Sequence, residues 1–174
     1  MWNDGAPDSN LTEICSGAAY RVHTPGRLVI RRELAAELHK VLERFAREAG
    51  FTPAHPVEIG FEPGIFGHHR VGRAADIYRV GKIGMEEWKA RWDQANQAEA
   101  APKEPPATIS PVAKERQTNL GWRLYQALKN YGRWSQPYGY PIQLFGPWTR
   151  TEGPWKYISD FLLRAHRDHI HVSK

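Results

Sequence analysis

Apolar residues recur along the chain with two different periods. Between residues 31 and 49, Leu34, Leu38, Val41, Leu42 and Phe45 fall three or four positions apart, the spacing that lines one side of a helix. Gly50 stands where a C-cap glycine belongs, so the pattern predicts a helix over 31–49. Residues 85–99 repeat it, with Trp88, Trp92 and Ala95 on one face. A further helix is predicted over 117–131 from Leu120, Leu124, Ala127, Leu128 and Tyr131, with Gly132 behind it. Shorter stretches read as strands: Val57–Gly60, Ala74–Val80, Pro141–Phe145 between Gly139 and Gly146, and His169–Val172. Tyr157–Arg167 reads as a short helix or turn. Residues 1–27, rich in Gly, Pro, Asp and Ser, read as an extended or loop-like lead-in. Residues 100–111 hold four prolines, Pro102, Pro105, Pro106 and Pro111, which exclude a helix or central strand and predict a surface loop. Strands at the centre and end with helices between them point to an α+β class.

Composition narrows this picture only slightly. With 174 residues, 41% hydrophobic and 25% charged, the chain is an ordinary globular sequence long enough for one domain with a real core. No apolar run is long enough to span a bilayer. The N-terminus lacks the basic start and apolar stretch of a secretion signal, so export by another route, a cytosolic location or a removed leader are the expectations. The one cysteine, Cys15, excludes an internal disulfide framework and reads as a small, part-buried side chain. The net charge of +5 suits an anionic partner such as nucleic acid, acidic lipid or a cell-wall polymer. The cations are scattered, however, and the densest cluster is Arg31-Arg32. No basic run is interleaved with aromatics, so nucleic acid is not the expected partner.

Two short stretches carry the chemistry: His69-Arg-Val-Gly-Arg-Ala-Ala-Asp76 and Asp168-His-Ile-His171. In a strand, side chains alternate, so His169 and His171 share one face and Ile170 takes the other. Asp168 at the strand entrance can lean over that face. Gly72 permits a tight turn between His69 and Asp76, and Ala74 and Ala75 leave room for close packing. A turn leading into a strand can thus aim His69 and Asp76 at one point. Together the stretches offer three residues of metal-ligand type and an unpaired carboxylate. A catalytic zinc site needs that set: three protein ligands, a fourth position for water, and a base for its proton.

The pattern His-x-x-Gly-x-Ala-x-Asp, followed by a carboxylate three residues before a final His, resembles the zinc D-Ala-D-Ala carboxypeptidases and related peptidoglycan endopeptidases. The matching residues are His69, Gly72, Ala74 and Asp76, then Asp168, His169 and His171. The resemblance implies the Hedgehog/DD-peptidase fold, a small central, mostly antiparallel sheet flanked by helices. It implies zinc held by His69, Asp76 and His171, with Asp168 as general base and His169 beside the metal to hold or polarise substrate. It also implies a metallopeptidase of D,D or L,D type acting on peptidoglycan stem peptides, at the periplasm or cell wall. The family often has Ser where Gly67 stands here, and many members carry an upstream Arg that grips the substrate carboxylate. The corresponding stretch Gly60-Phe-Glu-Pro-Gly64 has no Arg. Arg70 and Arg73 are the nearest substitutes, and cleavage within a stem peptide or cross-link is the expectation. The stretch 85–150 has no evident counterpart in the family.

The remaining histidines, His23, His39, His55 and His166, are expected to be surface or satisfied core residues with no metal role. His68 adjoins His69 and competes with it as a ligand, though the family spacing favours His69. Trp88 and Trp92 are expected in the core. Tyr138-Gly-Tyr140 and Gly146-Pro-Trp148 either line a groove or pack an irregular segment. The rival functional reading is a non-catalytic zinc module of the same fold.

Overall fold

The computed structural model of the chain describes residues 10–64, 67–100, 109–134, 144–149 and 159–174. The apolar stripe of the first predicted helix becomes α1, Arg32–Glu48. Leu34, Leu38, Val41, Leu42, Phe45 and Ala46 are its buried apolar face. Gly50 takes φ 89°, and the N–H groups of Gly50 and Phe51 donate to the carbonyls of Arg47 and Ala46. Those bonds satisfy carbonyls that the helix end would otherwise leave orphaned.

The strands are β1 Leu11–Glu13, β2 Tyr20–His23, β3 Val29–Arg31, β4 Val57–Glu62, β5 Ala74–Val80, β6 Ile83–Gly84, β7 Leu144–Phe145 and β8 Ile170–Ser173. Beta-1 and β3 form a small antiparallel pair. The main sheet runs β2-β4-β5-β8-β7, with β6 attached to β5. Beta-2 joins β4 in parallel, and the other pairings are antiparallel. The chain is therefore α+β with a mixed sheet. The loop-like reading of residues 1–27 is corrected: among the described residues, β1 and β2 fall inside it. Each is only three or four residues long within a Gly-, Pro- and Ser-rich stretch, and pairing to distant strands supplies the order. Residues 1–9 lie outside the described residues, as do 101–108 of the Pro-rich stretch.

Three helices follow from the middle of the chain: α2 Met85–Ala100, α3 Pro111–Thr118 and α4 Leu120–Tyr131. The single helix expected over 117–131 is two helices, and Pro111 opens the first instead of ending a loop. Ser110 caps α3 by accepting from the Ala113 N–H at 3.1 Å, and proline at a first helical position loses no hydrogen bond. Asn119, in an extended conformation, breaks the chain between α3 and α4. Its Oδ1 accepts from the Trp122 N–H at 2.9 Å, and its Nδ2 donates to the Trp88 carbonyl at 2.8 Å. This fully buried amide ties α4 to α2, and Gly121 lets the helices touch, because a Cβ there would lie 2.6 Å from the Trp88 Cβ. Trp88 and Trp92 are buried as expected, and Trp92 stacks on Trp122 at 4.9 Å. Among the described residues, no helix is long and apolar enough to cross a membrane.

One face of the sheet joins the core. Ile59, Phe61, Ala75, Ile77, Ile170 and Val172 from β4, β5 and β8 are buried in one cluster with the inner faces of α1 and α4. The other face carries Glu58, Glu62, Asp76 and His171, none of them fully buried. Alternation along the strands therefore keeps the polar chemistry off the core side.

The C-terminus is fastened by a buried carboxylate. Glu37 of α1 accepts from the backbone N–H of Arg133 at 2.8 Å, from Lys40 and from the Lys174 ammonium at 3.4 Å. Burial pushes this carboxyl up, but those bonds and charges outweigh it and hold it below the usual carboxylate range. A group with a lowered folded pKa adds stability above its unfolded pKa, about 4.3 for Glu, and loses it as pH falls through the folded value. Glu37→Gln should therefore cost about 1–3 kcal/mol in urea unfolding at neutral pH. The gap from wild type should narrow below about pH 4. A gap that is constant with pH would show that the charge on Glu37 contributes nothing.

Candidate metal centre

The centre is assembled where β4, β5 and β8 run side by side. After β4 the chain makes a 3-10 turn, Gly67–Val71, that carries His68 and His69. Gly72 then takes φ 67°, a conformation that costs glycine little. Its N–H donates to the His69 carbonyl at 3.0 Å, and its carbonyl accepts from the Arg31 N–H at 2.7 Å. The turn delivers the chain into β5, whose third residue is Asp76. The antiparallel register places Asp76 opposite His171 of β8 and opposite Glu62 of β4. Directly opposed residues share a face, so the pairing itself brings the carboxylate and the imidazole together.

His69, Asp76 and His171 each offer a ligand atom, and these atoms all lie within 4.8 Å of one another. Asp76 Oδ1 is 2.8 Å from His171 Nδ1, and its Oδ2 is 3.2 Å from His69 Nε2. The two imidazoles meet edge to face at 5.1 Å. Burial would raise the Asp76 carboxyl, yet the hydrogen bonds and charge of His171 and His69 hold it well below the usual carboxylate range. Burial, with the charges of His69 and His169, pushes His171 down against the pull of Asp76. An anionic carboxylate set between the His69 and His171 imidazoles, the latter held neutral more readily by its burial, is the donor set a divalent metal requires, because its ligands must be deprotonated. Two nitrogens and one oxygen, half-buried, fit a borderline cation with a further position open to solvent.

The other expected site residues fall at different distances. His169 precedes β8, which starts one residue later than expected, at Ile170. It still faces the centre, with Nε2 3.7 Å from Asp76 Oδ1. Its Nδ1 is 2.8 Å from Asp168 Oδ1, so Asp168 reaches the centre through His169. The Asp168 side chain is 59% exposed. Arg70 and Arg73 are exposed, and no hydrogen bond or ion pair among the described residues joins either to His69, Asp76 or His171. His68 is outside the metal-ligand group. Cys15, expected to be part-buried, is exposed, and its described hydrogen bonds are to Glu13 and Tyr20.

Two residues were not singled out from the sequence. His166, expected among the surface or core histidines, is outside the group that could hold a metal, but it forms a wall of the centre. It closes α5, Asp160–Ala165, which Ser159 caps. Its ring lies 5.0 Å from that of His169 and 5.2 Å from that of His171. Its Nδ1 donates to the Leu162 carbonyl at 2.7 Å, since a carbonyl can only accept. Burial, with the charges of His171 and His169, pushes it down to about 4. The available signal was a capped helix ending just before Asp168. The second residue is Gly64, where a Cβ would lie 2.3 Å from His69 Cγ. A side chain there would displace the ligand ring.

On the far side, Phe145 of β7 pairs with His171, and its ring is 6.0 Å away. The turn after β7 is fixed by Thr149, whose Oγ1 accepts from the Gly146 N–H at 2.7 Å and the Tyr125 hydroxyl at 3.2 Å. Trp148 of that turn is fully buried against Tyr125, so it packs the core and lines no groove. Tyr138 and Tyr140 lie outside the described residues, as do 141–143 of the expected strand and 157–158 of the expected helix. Compared with known proteins, the chain matches no family, no curated protein and no solved structure.

The geometry makes a direct expectation. A divalent metal titrated into the protein should bind at one site per chain, more weakly as pH falls and the imidazoles protonate. Loss of a supporting residue around a metal costs about 10–100-fold in affinity. Asp76→Ala and His171→Ala should each lose at least that, and Gly64→Ala should fall within that range. Calorimetric titration reads all three, and an undiminished affinity in Asp76→Ala would remove the site.

Proposed function

We propose that the chain is a zinc-dependent peptidase that cleaves peptidoglycan stem peptides or cross-links, of the zinc D-Ala-D-Ala carboxypeptidase and endopeptidase kind. The observation that carries the reading is the convergence of His69, Asp76 and His171, ligand atoms within 4.8 Å, with the Asp168–His169 pair at their edge. The mixed nitrogen and oxygen set favours zinc, which prefers four-coordinate sites and leaves catalytic sites one open position. When bound, zinc supplies a Lewis acid that polarises a peptide carbonyl and makes water acidic enough to attack at neutral pH.

The chain's own groups do the rest. His69, Asp76 and His171 hold the ion. Asp168 takes the proton of the attacking water and returns it to the leaving amine. Because its carboxylate is bonded to His169 Nδ1, it also fixes the direction in which His169 Nε2 faces the substrate. His166 and Phe145 close the side of the centre towards β7. Such a reaction belongs at the cell wall or periplasm. Arg70, on the turn, and Arg73, just after it, are exposed, and anchoring of a substrate carboxylate by either requires the side chain to swing inwards. Among the described residues no arginine is bonded to His69, Asp76 or His171, and cleavage inside a stem peptide or cross-link is favoured over removal of a terminal D-Ala.

The rival, a zinc module of the same fold that binds without cutting, separates cleanly at Asp168. Asp168→Ala should keep its zinc and lose about 10²–10⁴-fold in turnover, the usual contribution of a general base. Turnover at the wild-type rate would make Asp168 structural. Digestion of purified peptidoglycan, followed by mass spectrometry with and without chelator, identifies the bond. Release of D-Ala from a free pentapeptide with cross-links untouched would reverse the endopeptidase assignment, and no chelator-sensitive cleavage would leave the binding module.

A further inference from the structure

The register across four strands puts one row of side chains on the open face of the sheet. Glu62 of β4 opposes Asp76 of β5, Asp76 opposes His171 of β8, and His171 opposes Phe145 of β7. The row is chemically lopsided. Its β7 end is aromatic, with Phe145 and the imidazole of His166 5.1 Å apart. Its β4 end is a carboxylate. Opposed residues in an antiparallel pair have Cβ atoms about 4.5–5.5 Å apart, so Glu62 stands directly beside the ligand Asp76.

Glu62 is exposed, and no ion pair or side-chain hydrogen bond engages it among the described residues. The contrast with the other carboxylate on this face of β4 is informative. Glu58 is paired with Arg79 at 3.4 Å, and Arg79 crosses over Gly60, where a Cβ would lie 2.4 Å from its Cγ. The one arginine of β5 on this face is thus directed along the sheet towards Glu58. Glu62 keeps its charge for whatever enters beside the metal ligands. Next to an acceptor-only group of this kind, a substrate carboxylate is repelled and a primary ammonium is attracted.

We propose that Glu62 is a specificity-determining residue that receives a primary ammonium of the substrate. The ammonium belongs either to the side chain of a diamino acid or to a free N-terminus. This inference rests on the peptidase reading for its substrate, but the charge preference is separable from catalysis. It also gives a reason for the missing arginine: the wall beside Asp76 selects the opposite charge.

The test uses the zinc-loaded full chain and synthetic stem-type peptides in matched pairs. One pair carries lysine or Nε-acetyl-lysine, and the other carries a free or an acetylated N-terminus. For the source that Glu62 reads, the free amine should raise kcat/KM about five- to tenfold over its acetylated partner, the scale of one charge-assisted hydrogen bond at a half-open site. In Glu62→Gln that ratio should fall to unity, and in Glu62→Lys it should invert. Calorimetric binding of the same pairs supplies a readout that needs no turnover. If no peptide is cut but the free-amine peptide binds more tightly and Glu62→Gln abolishes the difference, the peptidase reading fails and this inference stands. A wild-type ratio of unity for both pairs overturns it, as does a ratio that survives in Glu62→Gln. Equal loss of turnover on both members of a pair, with the ratio intact, would make Glu62 a participant in the chemistry instead and likewise overturn it.

Discussion

The antiparallel register between β5 and β8 is the constraint on which the rest of the centre depends. Asp76 meets His171 because Ala75 opposes Val172 and Ile77 opposes Ile170. Those four apolar residues are fully buried. A slip of β8 by one residue would turn His171 into the core and bring Ile170 and Val172 out, while Asp76, Ala75 and Ile77 of β5 stayed in place beside β4. The hydrophobic term therefore protects the site indirectly: each buried aliphatic side chain is worth about 1.5–3 kcal/mol. The Asp76–His171 pair inherits its alignment from packing on the opposite face.

The third member of the group, His69, arrives by a different route. His69 sits on a 3-10 turn, outside the sheet, and has no register to align it. Its position depends on two glycines. Gly72, at φ 67°, reverses the chain tightly enough to return it to β5. Gly64 leaves the space that the imidazole ring occupies. The turn is also pinned from outside by the small β1–β3 unit, since the Arg31 N–H donates to the Gly72 carbonyl and Arg31 Nε to the Val71 carbonyl. Residues 10–31, whose sequence has the character of a linker, thereby become part of the support for a ligand.

Electrostatically the centre differs from the chain around it. The protein carries a net charge of +5, yet three carboxylates, Asp76, Glu62 and Asp168, stand at or beside the candidate ligands, while Arg79 of β5 is paired with Glu58. A bound divalent cation offsets that local negative charge, and the imidazoles contribute none while neutral.

Much of this was legible from residue order alone. The helix at 31–49, the strand at Ala74–Val80 and the ligand trio follow from periodicity, a turn glycine and a motif, all of which are local. The break at Asn119 was hidden because the apolar stripe runs through it, while the buried amide that makes it is satisfied only by Trp88 on another helix. Beta-1 and β2 were hidden because their order comes from distant partners. The helix that ends at His166 is legible from its Ser159 cap, but the places of His166 and Glu62 at the centre are not. His166 depends on α5 folding back over β8, and Glu62 depends on its register with Asp76. Residue types and short spacings determine which groups can bind a metal. Which neighbours surround them is decided by strand pairing across long sequence separations, and that pairing is set by the burial of a whole face at once.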